Sequence, residues 1–175
     1  MKETAIFGAG CFWCVEGVFS SLKGVLSVEP GYSGGHLEQP SYEQVCGKDT
    51  GHIEVVRIEY DPTEISFAQL LDVFFHTHDP TTLDRQGADV GPQYASAVFC
   101  QNAEQREQTF QAIAQYQPEF AQAIVTHVLD SAVFWPAEAE HHNFYARNPQ
   151  QAYCQMVVGP KIQAFKQRYQ SWLAS

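Results

Sequence analysis

Residues 4–22 restrict the architecture most: a short apolar run, TAIF, meets Gly8-Ala9-Gly10, and Phe12, Val15, Phe19 and Leu22 then recur at helical spacing. Glycines permit a sharp reversal, so the pattern predicts strand, tight turn and helix, with Cys11 on the first helical turn and Gly24 ending the helix. Later segments repeat the alternation. Residues 25–35 read as a second strand running into a glycine-rich loop, and residues 52–62 as a third strand closed by Asp-Pro. Ser66 caps a helix through Leu70, Leu71, Phe74 and Phe75, and residues 78–94 form a long polar loop. A fourth strand over 96–101, a helix over 102–117, a fifth strand over 123–131 and helices over 137–148 and 160–174 complete the pattern. Strands alternating with helices, with some strands adjacent, predict an α+β two-layer sandwich in which helices cover a mixed or antiparallel sheet.

The 175 residues, 45% of them apolar, are expected to form one domain over 1–175. A formal charge of -10 with no basic run argues against nucleic acid. No apolar stretch reads as a signal core or a membrane span, so the expected home is the cytoplasm and no membrane partner is expected. Five cysteines at irregular spacings do not form a secreted disulfide framework, which makes any disulfide transient and chemical.

Cys11 and Cys14, in Gly-Cys-Phe-Trp-Cys, carry the first chemical signal. A cysteine at a helix start meets free N–H groups and the positive dipole end, which favour thiolate. The dipole contributes only ~0.3–1 kcal/mol against about 1.4 for each pKa unit, so further activation has to come from neighbours or from substrate. Cys14 lies one turn on, within disulfide reach. Zinc would need two further ligands, and only Cys46 with His52, or His141 with His142, are on offer, so no metal is expected. A thioredoxin-like dithiol is the stronger rival, although Cys11 precedes the sheet framework such a domain supplies. His76 and His78 read as a helix end and surface.

Seven segments fall in one order: GCFWCVEGVF, GYSGG, PSYEQVCGKDTGH, HIE, DPTTLDRQGADVGPQY, NPQQAYC and a Pro-Lys tail. Together they resemble the class A peptide methionine sulfoxide reductases from Ala5 to the carboxyl terminus. The resemblance implies a ferredoxin-like α+β core with long loops, no metal or organic cofactor, thioredoxin as the reductant, and reduction of the S epimer of methionine sulfoxide, free or in proteins. It makes Cys11 the nucleophile, Phe12 and Trp13 the pocket for the substrate methyl, and Glu54 the acid that protonates the sulfoxide oxygen. Tyr42 and Tyr94 are then hydroxyl donors to the same oxygen, and Asp89 organises the loop. By strand pattern alone Glu54 reads as a solvated charge.

A sulfenic acid on Cys11 needs a second thiol. Cys154 matches the family's carboxyl-terminal resolving cysteine, and Cys14 stands where the commonest family pattern has glycine. Cys154 is favoured because helix geometry threatens to strain a Cys11–Cys14 bond, and a relay through both is the further option. Cys46 and Cys100 read as buried bystanders in or beside strands. The family's arginine after Gln-Tyr is Ala95 here, and its Tyr-His-Gln run is Glu140, His141 and His142. A monomer is expected.

Overall fold

A computed structural model describes residues 2–174. In chain order the elements are β1 (Glu3–Ala9), α1 (Phe12–Phe19), β2 (Val25–Ser33), α2 (Tyr42–Cys46), β3 (Ile53–Tyr60) and α3 (Phe67–His76). The two-residue strands β4 (Arg85–Gln86) and β5 (Asp89–Val90) follow, then β6 (Ser96–Cys100), α4 (Ala103–Tyr116), β7 (His127–Asp130) and β8 (Trp135–Pro136). A four-residue turn of helix, α5 (Phe144–Arg147), a π-helical segment Cys154–Val158 and α6 (Gly159–Arg168) complete the chain.

The six-stranded sheet has the order β7-β6-β1-β3-β2-β8. Its four central strands, β6-β1-β3-β2, pair antiparallel throughout and come from a β-α-β-β-α-β path, the ferredoxin-like arrangement. β7 adds in parallel beside β6 after the α4 crossover, and β8 adds antiparallel beside β2. The sheet is therefore mixed, as expected.

Strand alternation sorts the core. Ala5, Phe7 and Ala9 of β1 and Val56, Ile58 and Tyr60 of β3 face the helices, against Val15, Val18 and Phe19 of α1 and Leu70, Leu71 and Phe74 of α3. Ile6, Ile53, Val55, Ala97 and Phe99 form a smaller cluster on the other face, closed by Leu129 and Phe134. Each fully buried aliphatic or phenyl side chain contributes about 1.5–3 kcal/mol, so the helix face carries most of the stability. That face also holds the amino end of α1.

Several expectations shift. The loop over 78–94 contains the β4-β5 hairpin and a 3-10 turn at Pro92–Tyr94. The helix expected over 137–148 is broken into a 3-10 turn at Ala139–His141 and α5, because Asn143 between them takes a left-handed backbone with φ 55°. α2 was not expected; Ser41 starts it through a reciprocal cap with Gln44. His78 is not at the surface. It is buried, bonds the Phe74 carbonyl through Nδ1 and the Ser96 hydroxyl through Nε2 at 2.8 Å, and burial pulls its pKa down to about 3.

Candidate active site

At the turn between β1 and α1, Gly10 has φ +91°, and a Cβ there would lie 2.7 Å from Gln86 Cγ, so only glycine fits. Cys11 follows as the N-cap of α1 and offers no side-chain cap. The missing acceptor comes from the sheet: Glu54 Oε1 accepts the Phe12 N–H at 3.1 Å. Glu54 shares its strand face with Val56, Ile58 and Tyr60, so the pleat aims its carboxyl under the helix and not into solvent. It is 1% exposed, and its Oε2 has no partner among the described residues.

Burial pushes Glu54 up to about 8; the Phe12 N–H opposes that rise, while Asp89 and Cys14 add to it. At neutral pH the carboxyl keeps its proton. A protonated acid with a dry, unpartnered oxygen can deliver that proton to an acceptor entering beside Cys11.

Tyr42 and Tyr94 surround the same carboxyl. Burial first, and then the Glu54 charge, raise both phenols well above the usual tyrosine range, which keeps them as O–H donors. Tyr42 is held by a residue that the sequence reading missed: Glu138 Oε2 accepts the Tyr42 N–H at 2.9 Å, and Oε1 accepts the Tyr32 hydroxyl at 3.1 Å. Cys46 ends α2, half-buried and against the Tyr42 hydroxyl, not in a strand. Cys100 is buried at the end of β6. His52 spends both ring nitrogens on a loop, accepting the Gly35 N–H at 3.1 Å and donating to the Leu37 carbonyl at 2.6 Å.

The aromatic wall lies on the other side of Cys11. Phe12 is fully buried among Tyr32, Tyr42 and His141, so it backs the site and does not line an open pocket. Trp13 is half-buried. Its indole stacks flat on Phe144 at 3.7 Å, meets the edge of Tyr153 at 5.8 Å, and donates Nε1–H to His141 Nδ1 at 3.2 Å. Burial lowers the His141 pKa, which keeps that nitrogen an acceptor. Tyr153 donates to Asp89 Oδ2 at 2.5 Å and joins the wall to the β5 strand.

All five cysteines are free. The Cys14 thiol, then burial, then the Glu54 charge hold Cys11 well above the usual cysteine range. Its contact with Cys11, aided by the Lys161 ammonium, lowers Cys14 against the opposing effect of burial. Contact and burial thus raise Cys11, against the direction expected from the helix dipole. Cys154 is fully buried, and the thiol whose charge it feels is Cys14. Cys11 and Cys14 open on a cleft of about 1110 Å³, walled by the residue 78–89 loop and α6.

A family model described as peptide methionine sulfoxide reductase matches residues 3–173. The chain belongs to that family. A Chromobacterium violaceum peptide methionine sulfoxide reductase MsrA is 54% identical over 95% of this chain and 96% of its own length. The Ralstonia nicotianae MsrA is 52% identical over 95% and 91%. The reduced form of yeast Mxr1 superposes with a TM-score of 0.82 at 31% identity, covering 87% of this chain and 89% of that one. The yeast protein has also been solved in complex with Trx2, a structure 23% identical with a TM-score of 0.57. The chain is thus an MsrA enzyme that reduces methionine sulfoxide, in a family that serves repair.

Set against the family pattern, the departures in this reductase fall in different places. Ala95 is buried in the smaller cluster. His141 stands inside the aromatic wall, between Tyr42 at 4.5 Å and Trp13, whereas Glu140 is exposed at its rim. Cys14 is buried and lines the cleft itself. Among the described residues, Glu138, Glu140 and His141 could together reach one cation. Both Glu138 oxygens and His141 Nδ1, however, already accept hydrogen bonds. No helix among the described residues is long and apolar enough to cross a membrane.

Proposed function

We propose that residues 1–175 act as one monomeric, cytoplasmic reductase domain that takes oxygen from the S epimer of methionine sulfoxide, in proteins and as the free amino acid. The single observation that carries the reading is the unpartnered, dry Oε2 of a carboxyl that keeps its proton, held at the amino end of the Cys11 helix. A solvated carboxylate could not do this work.

Trp13, stacked on Phe144, takes the substrate methyl, because an aromatic face buries a methyl group and leaves the polar oxygen to donors. The oxygen then meets Glu54, Tyr42 and Tyr94. The Cys11 sulfur, having lost its proton, attacks the sulfoxide sulfur, and Glu54 protonates the oxygen as its bond to sulfur weakens. The oxygen then passes to the Cys11 sulfur as the new bond between the two sulfurs and the substrate S–O bond break, which leaves methionine and a Cys11 sulfenic acid: the substrate sulfur is reduced by two electrons and the cysteine sulfur is oxidised by two. Asp89 fixes Tyr153, and so holds the wall against the loop.

Cys14 condenses first with the sulfenic acid. It faces Cys11 across one helical turn with the two thiols in hydrogen-bond contact, and Cys11, the non-helical N-cap with ψ 123°, is the partner that turns to bring the Cβ atoms to the about 3.5–4.5 Å a disulfide needs. Cys154, which feels the charge of Cys14, takes the disulfide by exchange, and thioredoxin opens it, a partner consistent with the yeast protein's complex with Trx2.

Thiol counting with disulfide mapping after one equivalent of each epimer tests the reading, in wild type, Cys14→Ser and Cys154→Ser. The S epimer removes two thiols and the R epimer none. The link lies between Cys11 and Cys14 when Cys154 is absent. Equal thiol loss with both epimers, or none with either, refutes it.

A further inference from the structure

α6 crosses α1 at Gly17, where an added Cβ would lie 2.4 Å from Ile162 Cδ1. One turn up the same face of α1 is Cys14, and the residue before Ile162 is Lys161. The crossing brings Lys161, a half-buried residue, to the wall of the cleft that Cys11 and Cys14 also line. Among the described residues none of the ion pairs uses Lys161. A cation held beside a thiol without a carboxylate partner has its charge available to that thiol.

The proposed reaction leaves Cys14 a task that its neighbours oppose. The groups facing it are Cys11 on its own helix, Glu54 from β3, Asp89 from β5, Tyr153 and Cys154 from the segment before α6, and Lys161 from α6. Lys161 is the one cation in that set. In the resting enzyme the Cys11 thiol also lowers Cys14, but a Cys11 that has become a sulfenic acid no longer offers that thiol.

We infer that Lys161 is a positioning residue for resolution: from the wall of the cleft that Cys14 also lines, its ammonium favours attack by the Cys14 sulfur on the Cys11 sulfenic acid, and so makes Cys14 the first thiol to attack. This rests on Cys14 being the resolving thiol proposed above. In the step, the Cys14 thiolate sulfur attacks the Cys11 sulfur, the S–S bond forms, the S–O bond breaks, and hydroxide leaves to be protonated to water. The sulfenic sulfur is reduced by one electron and the thiolate sulfur oxidised by one, the oxidising power having come from methionine sulfoxide.

The test is a rapid-quench experiment with one equivalent of methionine-S-sulfoxide over a range of pH, following methionine formed and the Cys11–Cys14 disulfide separately. Wild type, Lys161→Met, Lys161→Gln and Lys161→Arg are compared. In both neutral variants the disulfide lags behind methionine, forming about three- to tenfold more slowly near neutral pH, since each unit of thiol pKa is a factor of ten in thiolate, partly offset by nucleophilicity. The pH midpoint of that step moves up, and Lys161→Arg restores both rate and midpoint. Disulfide formation with wild-type rate and midpoint in the neutral variants overturns the role of Lys161 alone. A wild-type disulfide that joins Cys11 to Cys154 directly overturns the Cys14 reading beneath it.

Discussion

The two sides of Cys11 differ in nearly every physical respect. On the oxygen side, Glu54, Tyr42 and Tyr94 come from a central strand, a capped helix and a 3-10 turn, and the acid is buried with one oxygen unpartnered. On the thiol side, Cys11 and Cys14 open on a cleft of about 1110 Å³ formed by a loop, a π-helical segment and the last helix. The difference follows from the two tasks. Giving a proton to a leaving oxygen needs a carboxyl that water cannot ionise, so that side is dry and fixed by the sheet. Exchange with an outside dithiol needs access and movement, so the other side is open, and its last cysteine sits in a π-helical turn, an uncommon geometry frequent at functional sites.

The contrast is broken most completely at the shared atom. Cys11→Ser abolishes methionine formation in a single turnover while leaving the Glu54 titration in place, as carboxyl infrared spectroscopy would show. Next comes Glu54→Gln, which removes the proton but keeps the shape. Single-turnover rates fall about 10²–10⁴-fold, and the loss of rate that wild type shows as pH rises through about 8 disappears. The same substitution stabilises the fold at high pH. The folded-state pKa lies above the ordinary carboxyl value of 4.5, so folded Glu54 binds a proton that the unfolded chain releases, and wild-type stability declines between about 4.5 and about 8. Urea melts of the two proteins therefore agree at low pH and separate by several kcal/mol above pH 8, with the variant the more stable.

Smaller changes probe the seam between the sides. Tyr153→Phe deletes the hydrogen bond to Asp89, a contact of a class worth about 1.5–3 kcal/mol, and should lower kcat/KM about tenfold or more with the Cys11–Cys14 order of disulfide formation unchanged. Phe144→Ala removes the flat stack on Trp13, and an aromatic pair of this kind contributes about 0.5–1.5 kcal/mol. Its effect should be a KM raised about two- to tenfold with little change in kcat, measured with the free S epimer. A Phe144 variant that loses kcat instead would mean that the wall positions the reacting atoms and not only the methyl.

Much of the architecture could be read from spacing, because Phe7, Val18, Leu70 and Phe74 obey the strand and helix periods that burial imposes. The nucleophile could be read too, from glycines before a helix start. Glu54 was legible only through the resemblance, yet a local signal existed: it has the same parity as Val56, Ile58 and Tyr60, which placed a charge on the core face of a strand. Glu138, Phe144 and Tyr153 were not legible, since each meets its partner across 64 to 131 residues of chain through loops without a period: Glu138 to Tyr42, Phe144 to Trp13, and Tyr153 to Asp89. The environment of the Cys11 thiol was legible only in part. The helix dipole and the Cys14 thiol one turn on were visible in the sequence, whereas the burial that also raises Cys11 exists only once the surrounding elements are packed.

The most direct test of a dry acid beside an open thiol is the titration of Glu54 in the resting enzyme, by infrared difference spectroscopy of its carboxyl band with Glu54→Gln as the blank. A protonated band that persists through neutrality and disappears with a midpoint near 8 is the predicted result. A midpoint near the ordinary carboxylate value of 4.5 would mean that the oxygen side is wet, and the proton for the leaving oxygen would have to come from elsewhere.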